Sequence, residues 1–342
     1  MIVSIQYMRA IAVLLVMFHH AAWKGEVYSG TSWDWFNFGE AGVDLFFVIS
    51  GYIMCYTTSR RKTNIYKFIK ARFTRIIPLY WILTSVALFV YLIAPDKINS
   101  SGGDTSIFHS FTLLPTQAKY LIENGWTLSY EFFFYIIFSF GLAFSAAKKD
   151  LIPTVILSVL VVAGLLFSSN NVYFGFMTAP ILIEFIMGIA AFNLLQRCVY
   201  PRNTAIFLCL SSVIILLCIS YWGGTGNRVV DYGIPSLLFF IGMVSLEGDL
   251  QNHGHNLPSR LLGKIGDSSY SAYLVHPFFL AIAAIIFSKV GITSYGSIFV
   301  ISLVLGSLLT GWICYVTLEK PIDKFIKGKV RKAGNIKSKM QS

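Results

Sequence analysis

The feature that most limits how this chain can fold is the recurrence of apolar stretches long enough to cross a lipid bilayer. About 30 Å of hydrocarbon needs roughly 17 to 24 residues of helix, because backbone N–H and C=O groups inside it must be bonded within the chain. Such stretches fall near 4–23, 40–57, 76–94, 127–147, 151–169, 173–195, 203–221, 229–247, 269–288 and 294–317. The predicted fold class is therefore all-α: a polytopic transmembrane helix bundle of about ten spans over residues 1–322, followed by a basic cytoplasmic tail over 323–342. Composition agrees, since 56% hydrophobic against 13% charged residues leaves too few polar side chains to cover a water-facing surface.

Lys and Arg are distributed unevenly between the loops. Arg60, Arg61, Lys62, Lys67, Lys70, Arg72 and Arg75 crowd the linker between the second and third stretches, and alternate linkers carry Lys148, Lys149, Arg197, Arg202, Arg260 and Lys264. Eight more basic residues lie between Lys320 and Lys339, whereas the opposite side receives Lys24, Lys97, Lys119, Arg228 and Lys289. The positive-inside rule then predicts an even number of spans with both termini in the cytoplasm. A net charge of +11 is explained by this topology. It calls for anionic lipid headgroups as partners and not for nucleic acid. The first stretch reads as a retained helix rather than a signal peptide, since nothing basic precedes it and an arginine interrupts it. The five cysteines are scattered without a C-x-x-C pair, which argues for small core residues and against a metal site or disulfides.

The arginine in question is Arg9, in "MRAIAVLLVMFHH". It can snorkel to the headgroups, or it can face a wet interior. Its spacing to His20 favours the second use. Eleven residues at about 100° and 1.5 Å each put the two within roughly 20° of one helix face and about 16 Å apart. Asp44, Glu131, Glu184 and His276 are the other ionisable residues at membrane depth, and each is a functional candidate because hydrocarbon tolerates it only with a partner or a cavity. Asp44 and Glu131 fall at about the depth of His20, where a carboxylate would fix an imidazole's tautomer and raise its basicity, or would only cap and pair structurally. Trp23, Tyr28, Trp33, Trp35, Phe36 and Phe38 crowd the first outer loop, as interface anchors or as surfaces for sugar rings.

Several segments together resemble the acyltransferase-3 family of bacterial integral-membrane O-acyltransferases, over most of the chain. They are Arg9 and His20 in "YMRAIAVLLVMFHH"; Asp44, Ser50 and Gly51 in "GEAGVDLFFVISGYIM"; and Arg72, Arg75, Pro78 and Tyr80 in "FIKARFTRIIPLYW". Further on come Trp126, Ser129 and Glu131 in "WTLSYEFFFY", Glu184 and Gly188 in "IEFIMG", Ser269, Tyr270, Tyr273 and His276 in "GDSSYSAYLVHP", and Glu319 to Pro321 in "LEKP". The chain departs from the commoner pattern at Glu131, which stands alone between Tyr130 and Phe132 where a second acid often follows. The esterase-like domain that longer members append is not expected after Pro321.

The resemblance implies transfer of an acyl group, usually acetyl, from cytoplasmic acetyl-CoA to a hydroxyl of an exported or lipid-linked polysaccharide. The acceptor would be an exopolysaccharide repeat unit or, next, O-antigen. It places the chain in the bacterial inner membrane, with acyl-CoA as co-substrate, no permanently bound cofactor, and glycan-assembly proteins as partners. Arg72 and Arg75, three apart and so neighbours on a helix, would clamp donor phosphates with Tyr80 beside them. His20 would act as base or acyl carrier, oriented by Asp44 or Glu131, with Arg9 holding the donor. Glu184, Ser129, His276 and Tyr273 are further candidates. A rival class is a membrane carrier of glycolipid or solute, against which stands the lack of two matching halves.

Overall fold

The computed structural model describes residues 2–61, 63–95, 103–144, 149–253 and 256–328. Lys62, Lys97, Lys148 and the tail beyond Gly328 lie outside the described residues, as does the side chain of Trp35. Within them the architecture is helical, with one isolated bridge between Thr105 and Lys119. Helices α1 (Val3–Ser29), α2 (Ala41–Arg60) and α3 (Ile65–Ile93) are followed by a short α4 (Ile107–Thr112) and by α5 (Gly125–Gly141). Next come α6 (Leu151–Leu166), the short α7 (Val172–Met177), α8 (Leu182–Arg197) and α9 (Arg202–Trp222). The chain continues through α10 (Ile234–Ser245), α11 (Glu247–His253), α12 (Leu257–Lys289) and α13 (Gly296–Cys314).

Among the described residues, seven helical segments are long and apolar enough to cross a membrane: Val3–Ser29, Phe36–Arg60, Ile65–Ile93, Val172–Arg197, Arg202–Trp222, Leu257–Lys289 and Gly296–Gly328. The expected stretches at 127–147, 151–169 and 229–247 are helical too but shorter, at 17 residues for α5, 16 for α6, and 12 for α10 after a π-turn at Val229–Gly233. The difference has a simple cause. An apolar run in sequence can include residues past a helix end, as after Leu166, or a π-turn before one, as at Val229–Gly233, and hydropathy registers neither. The last segment continues unbroken to Gly328, past the expected boundary at 323.

Apolar side chains point outward as well as inward. Phe89, Leu92, Leu165 and Trp222 are all more than 60% exposed, which a water-soluble surface would not tolerate in such density and a lipid-facing one requires. Inside, α1 lies along α12, α12 along α13, and α2 along α8. The α2–α8 contact is backbone on backbone: a Cβ added at Gly51 would stand 2.2 Å from the Phe185 carbonyl, and one at Gly188 2.2 Å from that of Val48. In lipid, where water no longer drives apolar faces together, such close approach supplies the dispersion contacts that hold helices.

Helix ends are closed by specific groups. The first amides of α1, from Val3 and Ser4, donate to the Glu247 carboxylate at 2.8 and 2.7 Å, a negative charge at a helix N-terminus. Asn64 and Asn256 cap α3 and α12 through their side-chain oxygens. Within α12, Pro277 lacks an N–H, which frees the Tyr273 carbonyl one turn back. The buried Asn124 side chain donates to that carbonyl and so ties α12 to the start of α5.

Replacing Gly51 by Val should lower the thermal midpoint of the detergent-solubilised protein by the equivalent of about 1–3 kcal/mol of overpacking. Gly263, with open space around its Cβ position, should accept Ala with no loss. Equal midpoints for Gly51→Val and the parent would show that the close crossing is not needed.

Candidate active site

A cavity of about 1270 Å³ opens among α1, α2, α3, α5, α12 and the end of the last helix. That exceeds the several hundred Å³ of an ordinary small-molecule pocket. At one end its wall is basic, formed by Lys67, Lys70, Arg72, Arg75 and Lys327. At the other it stops at Phe46, Thr127 and Tyr273. Arg72 and Arg75 both reach it because their spacing of three puts them on one face of α3. The Arg72 guanidinium sits 5.8 and 5.9 Å from the rings of Phe68 and Tyr135, and its buried Nε has no partner among the described residues.

Arg9 lines the same cavity, with Glu319, Glu131 and Asp267 and the guanidinium of Arg75 as its charged surroundings. Each carboxylate is held by a neighbour. Gln6 donates to Asp267, Ser271 to Glu319, and both Tyr135 and Ser50 donate to Glu131, the latter at 3.3 Å. An arginine at this depth is thus met by acids and cavity rather than by lipid.

His20 lies beyond the residues that line the cavity. Its ring neighbours are His276, with centroids 5.3 Å apart, and His19 at 5.4 Å. Between this pair and the cavity stands Tyr273, whose ring is 5.9 Å from that of His276 and whose hydroxyl pairs with Thr127 Oγ1 at 2.9 Å. His20 thus lies outside the cavity that Arg9 lines, although the two fall on one face of α1, and Tyr273 stands at the cavity's edge toward it.

The carboxylates expected beside His20 have other partners. Asp44, fully buried, receives Arg228 through Nη2 at 2.8 Å and Nε at 3.1 Å, while Arg228 Nη1 reaches Glu40 at 2.6 Å. Burial works against the Arg228 charge, but Asp44 and then Glu40 more than offset it, and its pKa is raised above the ordinary arginine value. Glu184 is buried beside Asp44, and Glu131 faces the cavity as above. Tyr80, expected at the donor site, is a core tie. It lies about 140° around the helix from Arg75, is fully buried, and donates to the Ser110 carbonyl at 2.6 Å. Ser129 is also structural in its contacts, pairing with the Tyr120 hydroxyl and the Gly125 carbonyl, each at 3.1 Å.

Sequence reasoning assigned Arg228 only to loop charge. Its clue is Asp231 three residues on, whose carboxylate accepts from Thr225 N and Oγ1 at 2.9 Å and from Gly226 N at 3.1 Å, fixing the loop that delivers the guanidinium. Tyr135, Asp267 and Gln6 were also not singled out. Among the described residues no group of three His, Cys, Asp or Glu side chains is arranged to hold a metal ion.

Comparison with known proteins places this geometry. The acyltransferase-3 model, described as an acyltransferase domain, matches residues 2–318. The chain is 30% identical over 306 residues to the exopolysaccharide production protein ExoZ of Rhizobium meliloti, covering 87% of this chain and 93% of that one. It is 25% identical over 319 residues to the peptidoglycan O-acetyltransferase OatA of Listeria monocytogenes, covering 80% of this chain and 48% of the relative. An O-acetyltransferase OatA of Staphylococcus aureus matches at 26% over 197 residues, 49% of this chain and 31% of that one. The chain thus spans about half or less of the OatA proteins. No solved structure matches. The protein belongs to the acyltransferase-3 family, and its fold is that of a multi-helix membrane protein.

Arg228→Leu should destabilise the protein by about 3 kcal/mol, because it strands the buried Asp44 charge. Adding Asp44→Asn to the same chain should recover much of the loss in thermal melting. A double variant as unstable as the single one would show that the pair is not what Arg228 contributes.

Proposed function

We propose that this protein is an integral-membrane O-acyltransferase that moves a short acyl group, acetyl first among candidates, from acyl-CoA to a hydroxyl of an exported or lipid-linked surface polysaccharide. The observation that carries the reading is the cavity with Arg72, Arg75 and Arg9 along its wall and a buried Arg72 Nε that has no partner among the described residues. Forked guanidinium donors suit the phosphates of a coenzyme A, and a site of this size suits its length. The basic end then faces the cytoplasm, both termini lie there, and the membrane is the bacterial inner membrane with anionic lipids around the basic loops.

With its phosphates at Arg72 and Arg75 and its arm passing Arg9, the donor would bring the thioester to Tyr273. The distance from Arg9 to His20 along α1, about 16 Å, is one that an extended pantetheine arm bridges. His20 takes the proton of the acceptor hydroxyl as its oxygen attacks the thioester carbon. The new C–O bond replaces the C–S bond, and the thiolate leaves and regains a proton as free coenzyme A. Similarity to an exopolysaccharide production protein favours a repeat unit of exopolysaccharide as acceptor over O-antigen, and glycan-assembly proteins as neighbours.

Purified protein incubated with radiolabelled acetyl-CoA and a lipid-linked oligosaccharide extract should label the glycan. Glycolipid moved without label would make it a carrier instead. Arg72→Ala and Arg75→Ala should raise the apparent KM for acetyl-CoA about tenfold or more with kcat less affected, as loss of a ground-state contact does. Correctly inserted His20→Ala should lose on the order of 10²–10⁴ in turnover. An unchanged KM in both arginine variants would contradict the donor clamp, and near-normal turnover without the imidazole would remove His20 from the mechanism.

A further inference from the structure

His276 carries a chemical anomaly. It is wholly buried, and its Nδ1 lies 3.2 Å from the Ala272 carbonyl one turn back in α12. A carbonyl can only accept, so Nδ1 bears the hydrogen, and in the neutral ring Nε2 is left as a bare lone pair. That Nε2 is buried and has no hydrogen-bond partner among the described residues. A buried acceptor without a donor is destabilising, so its place in the structure calls for an explanation.

The lone pair has one imidazole to serve. His20 faces His276 across the α1–α12 contact with ring centroids 5.3 Å apart and planes 36° apart. The other ionisable groups around His20 are His19 and Lys24, both on its own helix. His19 turns toward Glu40, its Nε2 3.7 Å from that carboxylate. Lys24 carries only donors and sits 4.8 Å from the Trp23 ring. Asp44 and Glu131, the carboxylates that would ordinarily orient a base, are bound to Arg228 and to Ser50 and Tyr135.

We infer that His276 is the positioning residue for His20: its Nε2 accepts the N–H of the His20 ring and so turns the remaining His20 lone pair toward the acceptor hydroxyl. A small rotation about the His20 χ2, a torsion with a broad minimum, closes the gap between the rings. A neutral imidazole thus takes the place of the usual carboxylate. That substitution suits a site inside a bilayer, where a second fixed charge would need its own counter-ion. The backbone around His276 is held in place. Pro277 frees the Tyr273 carbonyl, Asn124 captures it, and the turn of α12 that bears His276 is thereby anchored to α5.

The kinetic readout of this inference rests on the transferase reading, whereas its spectroscopic readout does not. Nitrogen-15 NMR of histidine-labelled protein in lipid should show His20 in one tautomer in the parent and a mixture of tautomers in His276→Leu. His276→Gln, whose amide oxygen can occupy the place of Nε2, should restore the single tautomer. In the acetyl transfer assay His276→Leu should lower kcat on the order of 10- to 100-fold with the KM for acetyl-CoA unchanged, and Gln should recover most of that loss because it accepts but does not take a proton. An unaltered His20 spectrum in His276→Leu would overturn the inference, as would a Gln variant as impaired as Leu while melting like the parent. Absence of acetyl transfer by the parent itself would count against the transferase reading alone, and the tautomer comparison would still decide the role of His276.

Discussion

A charged group inside a lipid-facing bundle must be met by an opposite charge, by hydrogen-bond partners or by water, and the placement of the charged side chains around Arg9 and Arg228 follows from that constraint. Arg9 is the clearest instance. It sits within a helix whose inward residues are mostly apolar, and three carboxylates from α5, α12 and the last helix gather around it. Those acids are secured in turn by Gln6, Ser271, Ser50 and Tyr135. The result is a polar cluster set into the otherwise largely apolar wall of the cavity.

A second cluster solves the same problem differently. Arg228, Asp44 and Glu40 close on each other beside Glu184, and the guanidinium lies 6.0 and 5.7 Å from the rings of Trp126 and Tyr232. This arrangement joins the loop before α10 to the start of α2 and stands close to His19. It fixes the wall behind the histidines without taking part in lining the cavity. The cavity with its basic wall and the His20–His276 pair thus lie apart, with Tyr273 lining the one and neighbouring the other.

Much of the fold could be read from hydropathy because an apolar run of membrane length leaves the backbone few choices but helix. Where the α-helices are shorter than the apolar runs, as at 151–169 and 229–247, the run includes residues past the helix end in the first case and a π-turn before the helix in the second. Positions set by one helix were readable too: Arg72 and Arg75 share a face of α3, and that face lines the cavity. Tyr80 belonged to the same motif but to another side of the helix, and only the packing of α4 against α3 gives its hydroxyl an acceptor. Contacts between distant helices were out of reach. No local pattern announces that His276 of α12 meets His20 of α1, or that Arg228 crosses 184 positions to Asp44, because each depends on which helices pack and in what register.

The most direct measurement of the central claim is a cryo-EM reconstruction of the protein in lipid with a non-hydrolysable acetyl-CoA analogue. The account predicts its phosphates against Arg72 and Arg75, its pantetheine arm passing Arg9, and its acetyl end at Tyr273 within reach of His20. Density for the analogue outside this cavity, or an acetyl end directed away from Tyr273, would contradict it.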